Sequence, residues 1–419
     1  MKKIIILGGG FAGLRLAREL KNSAYEIWLF DKNNFFSFQP LFYQVATCGL
    51  EPSSISFPLR KVFQNYKNFH VRAAEVLEIN SQQNKIISSI GEFNYDYLVI
   101  ATGATTNFFG NSSVERNAIP MKAVNEALFL GNKLLQNFED ALSANDEDKK
   151  ALLNIVVVGA GPTGVEISGA LAEMKKYILP KDYPEIDFKA MNIYLVEAGT
   201  KTLGAFSEVA SKKSKQYLEK LGINLYTSTT VKNYDGNMVE LGTGKLIPTK
   251  TVIWAAGVTG NMIKGLSETS ITKGNRFLVN ENSLINENKN IFAIGDIALM
   301  KTESFPNGHP QVATVAIEQA VLLAKNLKKT IQNLPLQKFV YKDKGSLATI
   351  GRNRAVADLP FIKFQGFFAW LFWMFLHLML ILGVKNKLLI FVNWMWKYFT
   401  FDQSLRLIIK PRDSYRDKK

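Results

Sequence analysis

Lys3-Ile-Ile-Ile-Leu-Gly-Gly-Gly-Phe-Ala-Gly13 and Ile155-Val-Val-Val-Gly-Ala-Gly-Pro-Thr-Gly164 are two versions of one design. Each opens with a short run of apolar, mostly β-branched residues, as a strand buried on both faces requires. Each then breaks at a glycine cluster and passes into a helical pattern, over residues 14–20 in the first copy and to about Met174 in the second. Gly8, Gly10 and Gly13, like Gly159, Gly161 and Gly164, have the G-x-G-x-x-G spacing. Glycines there let a pyrophosphate approach backbone amides, and the helix N-terminus that follows adds positive potential. An acid is expected at the end of the next strand, where it can accept a hydrogen bond from a ribose hydroxyl. Asp31 follows the strand at 27–30, and Glu197 closes the strand at 193–196. A single such stretch is compatible with a glycine turn that holds nothing. Two copies, each lying between strand and helix with an acid in register, meet the context the motif needs. Two dinucleotide sites in one chain imply electron transfer between cofactors, normally nicotinamide and flavin. The acid at Glu197 favours NAD over NADP, whose extra phosphate it would repel.

Working outward, similar apolar runs alternate with helical patterns through most of the 419 residues, as expected of α/β units around covered sheets. The charged stretch 143–150 (SANDEDKK) reads as a surface connection ahead of the second unit. Lys2 and Lys3 before an apolar run imitate the start of a secretory signal, but the run is too short and ends in glycines. The single cysteine, Cys48, excludes an intrachain disulfide and any mechanism needing a cysteine pair. His70, His309 and His377 are too scattered in sequence to suggest a metal cluster.

The formal net charge of +15 asks for an anionic partner. Nucleic acid is not expected, because no recognition motif accompanies the charge and its densest block adjoins an aromatic segment. That segment, 366–384, runs 19 residues without Asp, Glu, Lys or Arg. As one helix it would be about 28 Å long, close to the thickness of a bilayer core. Beyond residue 384 come nine Lys or Arg and three Asp, and Trp370, Trp373, Trp394 and Trp396 are four of the six tryptophans. A crossing would put this basic tail on the side opposite the cytoplasm. The preferred arrangement is therefore monotopic, with 366–384 and an amphipathic run at 388–409 both lying in one leaflet of an anionic bilayer. A buried dimerisation helix is the alternative, so a homodimer stays open.

The chain resembles the two-dinucleotide-binding flavoproteins, in particular the type II NADH dehydrogenases, single-subunit NADH:quinone oxidoreductases that do not pump protons. The resemblance covers about residues 1–410. It rests on the first cradle, Gln39-Pro-Leu-Phe-Tyr-Gln-Val-Ala-Thr47, Ala101-Thr-Gly-Ala104, the second cradle with Glu166, Trp254-Ala-Ala-Gly-Val258, Ile294-Gly-Asp-Ile-Ala298 and the aromatic tail. It implies two Rossmann-like α/β domains, one nested in the other, plus a C-terminal membrane-associating helical region. The implied boundaries are 1–115 for the first part of the FAD domain, 116–265 for the NADH domain, 266–330 for the FAD return segment and 331–419 for the tail. FAD would use Gly8, Gly10, Gly13 and Asp31, be approached by Thr47, Ala101, Thr102 and Gly103, and be contacted at the ribityl chain by Asp296. A helix starting near Val312 would point its N-terminus at the flavin pyrimidine edge. NADH would use Gly159, Gly161, Gly164, Glu197 and Gly257. Glu166 corresponds to the family's acid near the nicotinamide; its bland alternative is a first-turn glutamate favoured by the helix dipole.

The chain departs from the family where AQxAxQ is usual and Ala313-Thr-Val-Ala-Ile-Glu318 stands instead. Thr314 and Glu318 take the places of two glutamines expected to face flavin and quinone. Gln319 is adjacent but points about 100° away on a helix. The implied activity is hydride transfer from NADH to FAD and then two electrons to a membrane quinone, at the cytoplasmic face of the cell membrane. Two other functions are compatible with the residues: a soluble-acceptor NADH oxidase or peroxidase using Cys48, and a nucleotide-sensing scaffold on the membrane. Against the former, Cys48 reads as a small apolar packing residue.

Overall fold

The computed structural model describes residues 1–403 and 405–409. Ser404 and residues 410–419, which include the last five basic residues of the tail, lie outside the described residues. The chain forms two compact units, the first from 1–37, 56–105 and 258–343, the second from 38–55, 106–257 and 344 onward.

In the first unit, Lys2–Leu7 is the middle strand of a five-stranded sheet in the order Ile291–Ala293, Tyr97–Ile100, Lys2–Leu7, Tyr25–Asp31, Phe69–Ala73. Every pairing is parallel, with Ile4 beside Ile27 on one side and Tyr97 on the other. Ile4, Ile5, Ile6 and Leu7 are all buried, which explains why this strand reads as an unbroken apolar run. The helices Phe11–Glu19 and Ala313–Ile331 pack on one another beside the sheet.

The second unit repeats the plan. Its parallel sheet runs Ile119–Pro120, Thr251–Trp254, Ile155–Val158, Ile193–Val196, Asn224–Tyr226. Again the strand leading into the glycine turn is central and wholly buried. A three-stranded antiparallel sheet, Ser346–Thr349, Ala355–Asp358 and Lys363–Gln365, leads into two C-terminal helices.

The units break at different places from the boundaries at 115, 265 and 330 drawn from the sequence. The largest difference is 38–55, which packs with the second unit. Its short helix Phe42–Ala46 lies on the helices Val124–Ser143 and Pro162–Glu173, and Gly131 brings the former within 3.3 Å, as measured from a built Cβ to the Ala46 carbonyl. Such contacts join residues far apart in sequence and leave no local periodicity. The expected surface connection at 143–150 is largely helical instead. Asn145 caps the helix Asp146–Leu153 by accepting from the Asp148 N–H at 2.9 Å, and three acids occupy its first turn.

The tail also differs from expectation. Residues 366–384 do not form one helix: Phe367–Leu380 ends at Ile381, Gly383 takes φ +76°, and a second helix runs Val384–Thr400. A residue at that φ cannot continue a right-handed helix, so the apolar run is folded in two. Among the described residues, no helix is long and apolar enough to cross a membrane. The expected amphipathic run 388–409 is helical only to Thr400, where Phe401 closes it in the left-handed region.

Candidate functional site

In both glycine turns the first and third glycines are required by the protein's own packing. A Cβ on Gly8 would lie 2.4 Å from the Ala101 carbonyl oxygen, and one on Gly13 would lie 1.9 Å from that of Gly8. The second turn repeats this, at 2.6 Å from Ala255 for Gly159 and 1.8 Å from Gly159 for Gly164. The middle glycines are different. Around Gly10 and Gly161 a Cβ would meet nothing within 4 Å, and both have ordinary φ, −73° and −72°. Each is the N-cap of its helix, and neither supplies a side chain to the unpaired N–H groups behind it. Such open, amide-lined space at a helix N-terminus suits the pyrophosphate of a dinucleotide.

The two acids are held alike. Asp31 accepts from the Gly9 N–H at 2.7 Å and from the Asn33 N–H at 2.7 Å. Glu197 accepts from the Ala160 N–H at 2.6 Å and from the Gly199 N–H at 2.6 Å. Each carboxylate is thus fixed at its strand end beside the glycine turn. Burial pushes the Asp31 carboxyl above its ordinary pKa, against the pull of its two amide donors and of Lys32.

The first unit also assembles Ala101, Thr102, Gly103 and Asp296 around its turn. The Thr102 hydroxyl donates to the Asn261 carbonyl at 2.7 Å, and Gly103 is left-handed at φ +69°. Asp296 lies in the single turn Gly295–Ile297, where its own carbonyl accepts from Gln311 at 3.0 Å. The helix expected near Val312 has Val312 as its N-cap. On it, Thr314 shares a hydrogen bond of 2.8 Å with the Tyr341 hydroxyl, and Glu318 is half-buried. Gln319, set aside on helix geometry, is buried beneath the Gly295–Asp296 turn and accepts from the Gly295 N–H at 2.8 Å. One residue along the helix turns it about 100° from Glu318, and there the turn at Gly295 meets it.

The second unit contains Thr47, Glu166 and Gly257. Thr47 is fully buried and donates to the Tyr43 carbonyl at 2.9 Å. At Gly257 a Cβ would lie 2.8 Å from the Phe109 ring, so a side chain there would displace an aromatic neighbour. Glu166 is only 7% exposed, and burial pushes its carboxyl up to about 8, although the Thr349 N–H approaches one oxygen at 3.5 Å. It faces a pocket with Tyr43, Gln44, Trp370, Met374 and Trp394 in its wall. Sequence reasoning gave Tyr43 and Gln44 no role, though they are the centre of the QPLFYQVAT stretch. Tyr43 Oη lies 3.3 Å from Thr349 Oγ1 and accepts from Gln44 at 3.0 Å, and Gln44 accepts from the Trp394 indole N–H at 2.7 Å. The stretch thus ties the tail to the surroundings of Glu166.

Cys48 is buried, and burial pushes its thiol up to about 11. Its sulfur lies beside Gly131, and burial outweighs the opposing charge of Arg406.

The pyridine nucleotide-disulphide oxidoreductase family matches residues 2–320, and the NDH2 C-terminal domain matches residues 344–401. The chain is 32% identical to the type II NADH:quinone oxidoreductase Ndh of Mycobacterium tuberculosis, over 94% of this chain and 87% of that protein. It is 31% identical to the mitochondrial external NADH-ubiquinone oxidoreductase 2 of Saccharomyces cerevisiae, over 95% and 81%. The fold is similar to that of the solved structure of NDH2 from Plasmodium falciparum in complex with NADH, with a TM-score of 0.89, 24% identity and coverage of 98% and 100%.

Proposed function

The chain belongs to the type II NADH:quinone oxidoreductases, and from that premise we propose which of its residues carry each part of the reaction. The protein is a membrane-associated flavoenzyme that oxidises NADH and reduces a quinone without pumping protons. FAD, when bound, would supply the redox chemistry between NADH and quinone.

The turn at Gly8, Gly10 and Gly13 holds the FAD pyrophosphate, and Asp31 orients the adjoining ribose. Ala101, Thr102, Gly103 and Asp296 complete the FAD contacts within the first unit. The helix from Ala313 would hold its positive N-terminal end toward the flavin and favour the negative charge gained on reduction. The turn at Gly159, Gly161 and Gly164 binds NADH, with Gly257, and Glu197 disfavours NADPH by charge. The observation that carries this assignment is the repeated pattern in which only the middle glycine of each turn faces open space. Beyond capping its helix, that glycine meets no packing neighbour that demands it, so a ligand explains it better than packing does.

Glu166, which the family resemblance put near the nicotinamide, is read here as the acid of the quinone step. A carboxyl pushed up to about 8 keeps its proton at neutral pH and can give it to a quinone oxygen. Its aromatic pocket suits a flat, apolar quinone ring. Thr314, oriented by Tyr341, and Glu318 serve the quinone side of the flavin in place of the family's glutamines. The two tail helices present Phe368, Leu388 and Trp396, at 74%, 61% and 59% exposure, and with Lys385 and Lys387 they form the face that lies on anionic lipid at the cytoplasmic surface. Pairing of two copies through this face competes with lipid for it, and sedimentation in detergent separates the two uses. Stopped-flow reduction of the purified protein by NADH, followed by reoxidation with a quinone analogue, tests the whole assignment. A protein that cannot be loaded with FAD, or whose reduced flavin ignores quinone, would overturn it.

A further inference from the structure

Trp373 is among the largest fully buried side chains, yet its indole N–H makes no hydrogen bond of normal geometry. The acceptor it approaches is the Glu166 carboxyl. Its ring is held by stacking on His377 with centroids 3.8 Å apart, by an edge contact with Tyr43 and by a tilted contact with Trp394. Trp394 on the second tail helix donates to Gln44, Gln44 donates to Tyr43, and Tyr43 meets Thr349, whose backbone N–H faces Glu166. Both tryptophans therefore sit on the inner sides of helices whose outer sides carry the exposed apolar residues. We infer that Trp373 and Trp394 are positioning residues for Glu166, Trp373 through its indole N–H and Trp394 through the Gln44–Tyr43–Thr349 chain, so that the membrane-facing helices set the acid of the site. This rests on the reading of Glu166 as that acid.

The other charged or titratable groups around the pocket come from each packed element. Glu173 lies two turns further along the Glu166 helix, and Tyr43 lies on the short helix beneath. Arg352, from the turn after Thr349, donates its backbone N–H to Glu173 and stacks its guanidinium on Tyr398 and Phe401, at 4.0 and 4.1 Å. Lys397 of the second tail helix lies 4.0 Å from Glu173, and burial pulls its pKa down. His377 of the first tail helix is pulled down to about 4 and is neutral at working pH, while burial pushes Tyr43 up and keeps it protonated. Lys397 is thus the neighbour whose titration must be separated from that of Glu166.

The test is the pH profile of the quinone half-reaction in full-length, FAD-loaded enzyme on lipid vesicles, with Glu166→Gln as the reference. Trp373→Phe keeps an aromatic ring and removes the donor, together with some buried volume that flavin content and thermal melts monitor. A donor favours the carboxylate, so its loss should move the limb that Glu166→Gln abolishes upward by about one pH unit, with flavin content unchanged. Trp394→Phe, which breaks the bond to Gln44, should move the same limb in the same direction by less, and it carries the test if Trp373→Phe fails to hold flavin. If Glu166→Gln abolishes the limb and neither tryptophan variant moves it, the two rings are packing only and the inference fails while Glu166 keeps its role. If Glu166→Gln leaves the profile intact, the reading of Glu166 fails first, and the inference falls with it.

Discussion

Gly161→Ala is a substitution whose effect on binding should separate cleanly from its effect on folding. The new methyl would meet nothing within 4 Å, and φ −72° with ψ −176° is ordinary extended backbone for alanine. The folding cost is that of a poorer N-cap, about 1 kcal/mol. For NADH the same methyl stands where the pyrophosphate must reach the helix amides. Losing one charge-assisted hydrogen bond there costs about 2 kcal/mol, which is roughly thirtyfold in affinity. Gly164→Ala is the control with the opposite signature: its methyl would lie 1.8 Å from the Gly159 carbonyl oxygen, so strand and helix must part, costing about 1–3 kcal/mol or more of stability. The assay is the NADH concentration dependence of flavin reduction by stopped flow, alongside thermal unfolding and flavin content. Gly161→Ala should keep FAD and nearly all of its stability while needing about thirtyfold more NADH. Gly10→Ala, its mirror in the first unit, should weaken FAD instead, because its environment is equally open. An unchanged NADH dependence in a well-folded Gly161→Ala would refute the argument that the open middle glycine marks the pyrophosphate.

Glu166 also links pH to folding. Its carboxyl, near 4.5 when unfolded and about 8 when folded, holds its proton more tightly in the native state. The contribution to stability is full below pH 4.5 and is lost as pH rises through 8. Glu166→Gln should flatten that decline in thermal melts across the same window, and an unaltered slope would place the carboxyl in a wetter setting. Cys48→Ala should leave NADH:quinone turnover within about twofold, since a thiol pushed up to about 11 has almost no thiolate at neutral pH; loss of turnover with normal flavin content would favour a cysteine-based oxidase instead. Replacing Phe368 and Trp396 together by Glu should lower partition onto anionic vesicles by at least about tenfold while flavin loading is kept. Undiminished binding would move the lipid contact elsewhere on the surface.

Where short stretches of chain contain their own physical cause, sequence alone determined the outcome. The two strand–glycine–helix turns and the acids one strand on follow from spacing along one segment, and each appears where the pattern put it, while the helix after Val312 was implied by the family resemblance and not by any local pattern. The cysteine reading was equally legible, because one thiol permits no pair. What tertiary structure alone decided depends on contacts between remote segments. Hydropathy makes 366–384 a single apolar run, and only the folded backbone ends the first helix at Leu380, turns over 381–383 and starts the second at Val384, leaving no described helix long and apolar enough to cross a bilayer. Helical phase turned Gln319 away from Glu318, but could not show that the Gly295 amide would be waiting on the other side. Tyr43 and Gln44 stood out in the sequence as a distinctive stretch without a task. Their task becomes visible only when Trp394, about 350 positions later, donates to Gln44 across the folded chain. Glu166 could be picked out by its place in the second cradle helix, but its raised pKa comes from the aromatic walls that burial brings around it, and no linear pattern encodes that desolvation.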